Sequence, residues 1–314
     1  MKNKSVAALL MTLCLLTGCS NNATSENAYT TDNTTSAAVE TTQLTTAGTS
    51  QGRSDDSEYT NVSKNEKEMI FYRDNMKIFG KLYLPEGEGP FPAVIFSGGM
   101  RESYTDLETF ASLCAQNGIA GVVFDFIGTG GQSQSEGSPL DMSPLTEAAD
   151  LNAVFDKIAS EPEIDSKNIF LWGHSLGGLV STYVAEQRHD DIKALILVEP
   201  SYQMRDQVRE RYPEGSEIPD VVDASQSLGK AFAEDILSFD IYDKMPDFDS
   251  DVLLFEGTTS ESIGGAFPEY LERAAQTFRS VHVEAVEGAN HFFSGDAGVQ
   301  MREKTIDFIK ENIG

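Results

Sequence analysis

Residues 173–178 read "GHSLGG" and are the stretch of this sequence with the clearest chemical signature. They contain the pattern Gly-x-Ser-x-Gly, which makes a sharp turn that lifts a serine hydroxyl above the edge of a sheet. Such a turn strains the serine backbone, so the positions two residues away on either side must be small. Gly173 and Gly177 meet that requirement. The pattern therefore predicts that Ser175 is a nucleophile.

The turn must be followed by a helix whose N-terminus points at the reacting oxygen. Backbone N–H groups at a helix N-terminus favour negative charge, so the N–H of Leu176 is predicted to be one donor of an oxyanion hole. The alternative is a glycine-rich turn with an inert serine. The apolar run "NIFLW" before the motif and the helical spacing over about 175–188 favour the nucleophile over that alternative.

The elements that would position this serine alternate along the chain from about residue 66. Short apolar runs such as "PAVIFSG", "IAGVVFDF" and "KALILVE" predict strands, and the amphipathic segments between them predict helices. Continuous apolar strands separated by helices indicate a parallel sheet covered on both faces. The first two strands are predicted to pair antiparallel across a short polar turn. Residues 201–248 interrupt this alternation and predict an inserted cap.

Five stretches together resemble an α/β-hydrolase, nearest to its feruloyl/cinnamoyl esterase and serine-aminopeptidase-like branches: "AVIFSGGM", "IAGVVFDFIGTGGQSQ", "DLNAVFDKIAS", "NIFLWGHSLGG" and "GANHFF". The resemblance covers about residues 66–314 and is weak through the cap. It implies an α/β-hydrolase fold, with a mostly parallel central sheet of about eight strands and helices on both faces. It also implies a reaction that needs no cofactor and no metal.

A serine nucleophile needs a base to accept its proton, and the sequence holds four histidines. His174 lies inside the motif, where packing is the expected role. His189 lies in a polar segment, and His282 alternates with valines in a predicted strand. His291 lies in a loop between the last strand and the final helix, where the resemblance implies the catalytic histidine.

The second oxyanion donor is implied in the loop after "PAVIF". Family members carry a His-Gly-aromatic sequence there, whereas this chain has Gly98, Gly99 and Met100. Aligning Gly99 with the glycine of that pattern makes the backbone N–H of Met100 the donor. Gly99 is the alternative donor if the alignment is shifted by one residue.

The acid that should orient the histidine is missing from its implied position. After the predicted strand "DVLLFEG", the family pattern places an aspartate where this chain has Ser260. A serine cannot stabilise the imidazolium that forms in the transition state, and losing the acid costs about 10⁴-fold in rate in serine proteases. Glu261, one residue further on, is the preferred acid. Glu199 at the end of "ALILVE" is the alternative, and an inactive relative is the third possibility.

The N-terminal residues indicate export and anchoring. Residues 1–18 contain two lysines and a short apolar run, and they end in "LLTG" immediately before Cys19. This resembles the signal peptide of a bacterial lipoprotein, which implies a lipidated Cys19 and an extracytoplasmic protein anchored to the cell membrane. Residues 19–64 are rich in Ser, Thr and Asn and predict a disordered tether. The hydrolase domain is expected over residues 65–314.

Composition narrows the possible partners. The formal net charge of −27 argues against nucleic acid, because phosphates would be repelled. One cysteine, Cys114, lies in the predicted domain, which leaves no disulfide pair there. The acidic run at 247–251 resembles the start of a calcium-binding loop. The central glycine and the closing glutamate of such a loop are missing, so no metal is expected. The sequence leaves the oligomeric state open.

The residues together predict a serine hydrolase that cleaves small-molecule carboxylic esters through an acyl-enzyme. Two alternatives remain open. The same groups could cleave amide or peptide bonds or transfer acyl groups. From another class, Ser260 at the position of the acid permits a catalytically impaired lipoprotein that only binds.

Overall fold

A computed structural model of the chain describes residues 65–260 and 268–314. The implied acid Glu261, the proposed lipidation site Cys19 and the predicted tether lie outside the described residues. The described residues form ten strands: β1 (Glu66–Arg73), β2 (Met76–Tyr83), β3 (Phe91–Ser97), β4 (Ala120–Phe124), β5 (Ile164–His174), β6 (Ala194–Val198), β7 (Val221–Asp223), β8 (Leu228–Gly229), β9 (Val252–Gly257) and β10 (Val281–Val286).

Seven α-helices connect or flank these strands: α1 (Tyr104–Gln116), α2 (Pro144–Ala159), α3 (Leu176–Gln187), α4 (Met204–Arg211), α5 (Lys230–Ser238), α6 (Pro268–Thr277) and α7 (Asp296–Asn312). None of the helices in the described residues is long and apolar enough to span a membrane.

Eight strands form one sheet in the order β1-β2-β4-β3-β5-β6-β9-β10. β1 and β2 pair antiparallel, and β2 pairs antiparallel with β4. All remaining pairs in this sheet are parallel. The carboxyl ends of β3, β5, β6 and β9 therefore meet at one edge, where open parallel sheets bind ligands. The predicted mixed sheet of about eight strands is confirmed.

The sheet separates two apolar cores, because successive side chains of a strand point to opposite faces. In β5, Leu171 packs on the side of α2 and α3, whereas Phe170 and Trp172 pack on the side of α1 and α7. All three side chains are at most 3 % exposed. Strands buried on both faces read as continuous apolar runs, and this explains why the sequence predicts them so clearly.

Local signals set the limits of the helices that flank the sheet. Ser143 caps α2 by accepting a hydrogen bond from the Thr146 N–H, and Pro144 occupies the first helical position. Ser103 and Asp106 form a reciprocal capping box at the start of α1. That helix is followed by Gly118 at φ +84°, a conformation that glycine adopts without strain.

The segment between β6 and β9 departs from the strand–helix alternation. It contains α4, the small antiparallel pair of β7 and β8, and α5. Phe232, Ala233 and Ile236 of α5 are buried in the same core as α2 and α3. This part of the predicted cap is therefore integrated with the core on one face of the sheet.

Candidate active site

Ser175 lies at the turn between β5 and α3 with φ +51° and ψ −117°. A non-glycine residue rarely adopts positive φ, and such strain persists only where the surrounding structure enforces it. The Ser175 N–H donates to the Val198 carbonyl at 3.0 Å, and its own carbonyl accepts from the Ser201 N–H at 3.0 Å. The end of β6 and the backbone that follows it therefore hold the strained turn from the side.

Two glycines make this turn possible, as the sequence predicts. A Cβ on Gly173 would lie 2.5 Å from the Gly177 carbonyl oxygen. A Cβ on Gly177 would lie 2.1 Å from the carbonyl oxygen of Ser97 at the end of β3. Neither contact is possible for a real side chain, so only glycine lets the first turn of α3 approach the sheet this closely.

The Ser175 hydroxyl has a hydrogen-bond partner that the sequence did not suggest. Its Oγ lies 3.1 Å from the Oγ of Ser201, a buried residue. Within the described part of the chain, this is the hydrogen bond that the Ser175 hydroxyl makes, and none joins it to His291. Catalytic hydrogen bonds are often long in enzymes without substrate and shorten in the complex.

His291 lies at the same edge of the sheet as Ser175. Its backbone carbonyl contacts the side chain of His174, which precedes the serine, and the two imidazole rings lie 4.8 Å apart between centroids. The surrounding loop is ordered by Asn290, whose side-chain oxygen accepts from the N–H groups of Phe292 and Ser294. The fold thus brings the predicted nucleophile and base, 116 positions apart, to one site.

Among the described residues, Glu199 is the carboxylate within ion-pair range of the His291 imidazole. Its Oε2 lies 3.6 Å from His291 Nδ1, which is longer than a hydrogen bond but within ion-pair range. Glu199 is fully buried, and it follows β6 with φ +47°. Its Oε1 accepts from the Gly257 N–H at 2.6 Å. The carboxylate therefore lies at the end of β9, the strand after which the resemblance implied an aspartate.

Ser260 lies at the implied position of the acid. Its hydroxyl group donates a hydrogen bond to Oε2 of Glu199. The side chain is 2 % exposed. Adjacent residues fix this loop, since the Thr259 N–H donates to the Ala289 carbonyl at 2.9 Å, two residues before His291. The serine at 260 therefore supports a carboxylate that comes from the neighbouring strand.

The oxyanion loop after β3 contains both predicted donors, Gly99 and Met100. The Gly99 N–H donates to Oε2 of Glu102 and is therefore occupied. Within the described part of the chain, neither the Met100 N–H nor the Leu176 N–H has a hydrogen-bond acceptor. A Cβ on Gly99 would lie 3.0 Å from the Cβ of Ser175, so this loop packs directly on the serine. The geometry favours Met100 over Gly99.

A buried ion pair behind the serine was missed by the sequence reasoning. His174 is 5 % exposed, and its Nδ1 lies 2.9 Å from both carboxylate oxygens of Glu102. Its Nε2 donates to the His291 carbonyl at 2.8 Å. A histidine in a buried turn needs partners for both nitrogens, and this requirement indicates that a partner exists without indicating which residue it is.

The pKa values of this pair shift in opposite directions. Burial alone would lower the pKa of His174, but the charge of Glu102 and the hydrogen bond to it raise that pKa above its usual value. Burial alone would raise the pKa of Glu102, but the charge and hydrogen bond of His174 and the Gly99 N–H lower it. Each shift favours the charged form of its group.

Backbone strain concentrates at this edge of the sheet. Of the six non-glycine residues with positive φ in the described part of the chain, four flank or form the site: Arg101, Ser175, Glu199 and Phe293. Such conformations cost about 1–3 kcal/mol each and tend to cluster at functional sites. Strain at four separate segments of one edge supports an active site there.

Solved structures with the same architecture show that the chain has the α/β-hydrolase fold. Est1E from Butyrivibrio proteoclasticus with ferulic acid bound matches with a TM-score of 0.69 and 20 % identity, covering 78 % of this chain and 98 % of that one. DcsB in complex with its substrate analogue matches with a TM-score of 0.63 and 21 % identity, covering 79 % and 99 %. Proline iminopeptidase from Mycobacterium smegmatis matches with a TM-score of 0.57 and 14 % identity, and the match covers 78 % of this chain and 98 % of that one.

Sequence comparisons support a hydrolase. The family model "Serine aminopeptidase, S33" matches residues 89–237. The esterase FrsA of Vibrio cholerae is 30 % identical over 133 residues, which are 41 % of this chain and 30 % of FrsA. The 20-hydroxy-prefusarin hydrolase FUS2 of Gibberella moniliformis is 31 % identical over 157 residues, 46 % of this chain and 35 % of FUS2. The chain thus spans about a third of the length of these curated relatives.

Proposed function

We propose that the protein is a serine hydrolase that cleaves carboxylic esters through an acyl-enzyme. The Oγ of Ser175 attacks the ester carbonyl carbon, and its proton passes to Nε2 of His291. The tetrahedral oxyanion accepts hydrogen bonds from the N–H groups of Leu176 and Met100. Collapse breaks the ester C–O bond, and the leaving alkoxide takes the proton from His291.

Water then completes the cycle. It attacks the acyl carbon while His291 accepts its proton, and the second tetrahedral intermediate releases the carboxylic acid and returns the proton to Ser175. The Glu199 carboxylate, opposite Nδ1, keeps that nitrogen protonated and stabilises the imidazolium in both steps. In this proposal Glu199, rather than Glu261, is the acid. The chemistry uses side chains and backbone alone and requires no cofactor.

The observation that carries the proposal is the strained conformation of Ser175. Its φ of +51° at a strand–helix turn raises the hydroxyl above the carboxyl ends of the parallel strands. A serine that served only in packing would have no reason to keep this strain. The buried carboxylate of Glu199, 3.6 Å from His291, supplies independent support.

Esters are the favoured substrates because one similar protein is named an esterase and another binds a carboxylic acid, the kind of product that ester cleavage releases. FrsA is named an esterase, and one structure of Est1E holds ferulic acid. Amide hydrolysis is the second candidate, supported by the serine aminopeptidase model over residues 89–237. The two activities use the same groups and differ in the leaving group.

A paired kinetic assay tests the proposal. An acetate ester and a hydroxycinnamate ester of p-nitrophenol should each give a burst of p-nitrophenol in a molar amount equal to that of the enzyme. Slower steady-state turnover should follow the burst. An aminoacyl p-nitroanilide serves as the amide substrate. Ester turnover without amide turnover supports the esterase, and the reverse supports the peptidase. Neither a burst nor turnover with any of these substrates would contradict a serine hydrolase.

We also propose that the protein acts outside the cytoplasm, attached to the cell membrane through a lipid on Cys19. The support is the sequence of residues 1–18 and the cysteine that follows them. In cells, the wild-type protein should partition into the detergent phase after Triton X-114 extraction. Cys19→Ser should release it or leave it as unprocessed precursor. Equal partitioning and equal mass of the two mature proteins would contradict the anchor.

A further inference from the structure

We propose that Glu102 and His174 form a positioning clamp that ties the loop of the general base to the oxyanion loop. The inference rests on the function proposed above, in which His291 is the base and Met100 an oxyanion donor. Neither member of the clamp takes part in proton transfer to the substrate. Each acts by fixing the backbone of a catalytic residue.

The first half of the clamp holds the loop of the base. Nε2 of His174 lies 2.8 Å from the carbonyl oxygen of His291, and a carbonyl can only accept, so this nitrogen carries a proton. His174 is the last residue of β5, a central strand of the sheet. The contact therefore fixes the backbone of the base relative to a central strand of the sheet.

The second half holds the oxyanion loop. Glu102 accepts from Nδ1 of His174 and from the N–H of Gly99. A Cβ on Gly99 would lie 3.2 Å from Nδ1 of His174, so the peptide before Met100 packs against the ion pair itself. One carboxylate thus sets the positions of both the histidine ring and the loop that bears the proposed donor.

The surroundings of the pair allow it to act as a unit. A cavity of about 100 Å³ adjoins Glu102 and His174, and Asp106 and Arg302 are the other charged residues that line it. Glu199 and His291 are the titratable groups that face His174 from the catalytic side. The clamp therefore lies between the proposed catalytic residues on one side and the cavity between α1 and α7 on the other.

Kinetics on variants test the coupling. Glu102→Ala and His174→Ala should each lower kcat for p-nitrophenyl acetate by about 10–100-fold with little change in KM, because a misplaced base affects the chemical step. The double variant should lose less than the product of the two single losses, because each single change already breaks the contact between Glu102 and His174. Glu102→Gln keeps an oxygen for the Gly99 N–H and an amide for His174, so it should retain most of the activity.

A matched control separates this effect from general destabilisation. Glu108→Gln removes a carboxylate from α1, the helix that begins just after Glu102. The Glu108 carboxylate accepts hydrogen bonds from Lys81 and Tyr83, away from the site. This substitution should leave kcat unchanged. Rates are expressed per site that reacts with a fluorophosphonate, and Tm is measured for each variant. A loss of folded protein would then appear in the site count and in Tm rather than in kcat.

Nitrogen NMR of the histidine rings gives a readout that does not need turnover. The chain has four histidines. In the wild-type protein both nitrogens of His174 should be protonated at neutral pH. Glu102→Ala should abolish that state and shift the ring signals of His291, while the half-exposed His189 and the exposed His282 stay unchanged.

The outcomes separate the clamp from the function on which it rests. If the wild-type protein neither labels nor hydrolyses esters, the proposed function fails, and the His291 signals alone decide whether the clamp positions that loop. If the wild-type protein is active, kcat within threefold of wild type in both alanine variants would overturn the clamp and leave the function intact. Unchanged His291 signals in Glu102→Ala would overturn it in either case.

Discussion

Glu199 is held in place by Gly257 at the end of β9 and by Ser260 in the loop after that strand. The Gly257 N–H donates to one carboxylate oxygen, and the Ser260 hydroxyl donates to the other. These donors stabilise the charged form of a fully buried carboxylate, which would otherwise be costly to bury. At the residue scale, the proposed acid follows β6, and its carboxylate contacts position 260, where the resemblance implied an aspartate.

The assignment of the acid predicts a difference between two glutamates. Glu199→Gln should lower kcat for esters by about 10²–10⁴-fold, because a neutral amide cannot stabilise the imidazolium of His291. Glu261→Gln should change kcat by less than about threefold. Steady-state kinetics of both variants at one pH provide the measurement. The reverse ranking would restore Glu261 as the acid.

Moving the carboxylate back to position 260 should recover activity. Ser260 already contacts Oε2 of Glu199, so an aspartate there can reach the same space. We expect Ser260→Asp combined with Glu199→Gln to be at least about tenfold faster than Glu199→Gln alone, since one carboxylate again faces the histidine. The comparison of kcat in the single and double variants is the test. No gain in the double variant would mean that position 260 cannot orient His291.

The sequence predicted residues whose roles follow from local pattern, gave Glu199 only as the alternative acid, and missed Glu102. Ser175 and its two glycines belong to one short motif. Glu199 lies beside the implied position of the acid only because β6 neighbours β9 in the sheet. Glu102 lies 72 positions before its partner His174. Neither contact has a sequence spacing that could have revealed it.

At the scale of elements, the loops after β9 and β10 behave as one unit. The Thr258 N–H donates to the Val286 carbonyl, and the Thr259 N–H and hydroxyl both donate to the Ala289 carbonyl. Gly257 lets the second loop approach, because a Cβ there would lie 2.7 Å from the Ala289 carbonyl oxygen. The position of His291 therefore depends on contacts with Gly257, Thr258 and Thr259 at the end of β9.

Gly257→Ala should test this dependence. The added methyl group must displace the backbone at 289 and 290, so we expect kcat to fall by about 10–100-fold through misplacement of His291. The Glu199 carboxylate would still be present. Measurement of kcat and of the far-ultraviolet circular dichroism spectrum distinguishes a moved loop from an unfolded protein. Wild-type kcat in a folded variant would show that the loop tolerates the displacement.

Helix α2 carries a buried acid that should make stability depend on pH. Glu147 is 2 % exposed, and burial, with a smaller contribution from Asp150, raises its pKa well above the usual value. A raised pKa in the folded state contributes stability below the unfolded pKa, and that contribution is lost as pH rises. Glu147→Gln has no such loss, so its stability relative to wild type should increase between pH 5 and pH 8.

Urea unfolding at the two pH values measures this change. Asp156→Asn is the matched control, because Asp156 is an exposed carboxylate on the same helix. Its stability difference from wild type should vary little between pH 5 and pH 8. A difference for Glu147→Gln that is the same at both pH values would contradict a shifted pKa at this position.

The whole molecule follows from the sequence more completely than the site does. Runs of apolar residues predicted the strands of the sheet, and local residues such as Ser143 and Gly118 mark where helices begin and end. Each of these signals is local, and burial on both faces makes the strand signal strong. The cap was predicted only as a departure from the alternation. Its packing against α2 and α3 depends on tertiary contacts that its polar sequence does not specify.

The central claim is that Ser175 is a nucleophile activated by His291 and Glu199. Labelling with a fluorophosphonate, followed by peptide mass spectrometry, tests it most directly. We predict one adduct, on Ser175, formed at least about a hundredfold more slowly in His291→Ala and Glu199→Gln. The absence of an adduct at Ser175 in the wild-type protein would contradict the claim. So would equal labelling rates in the wild type, His291→Ala and Glu199→Gln.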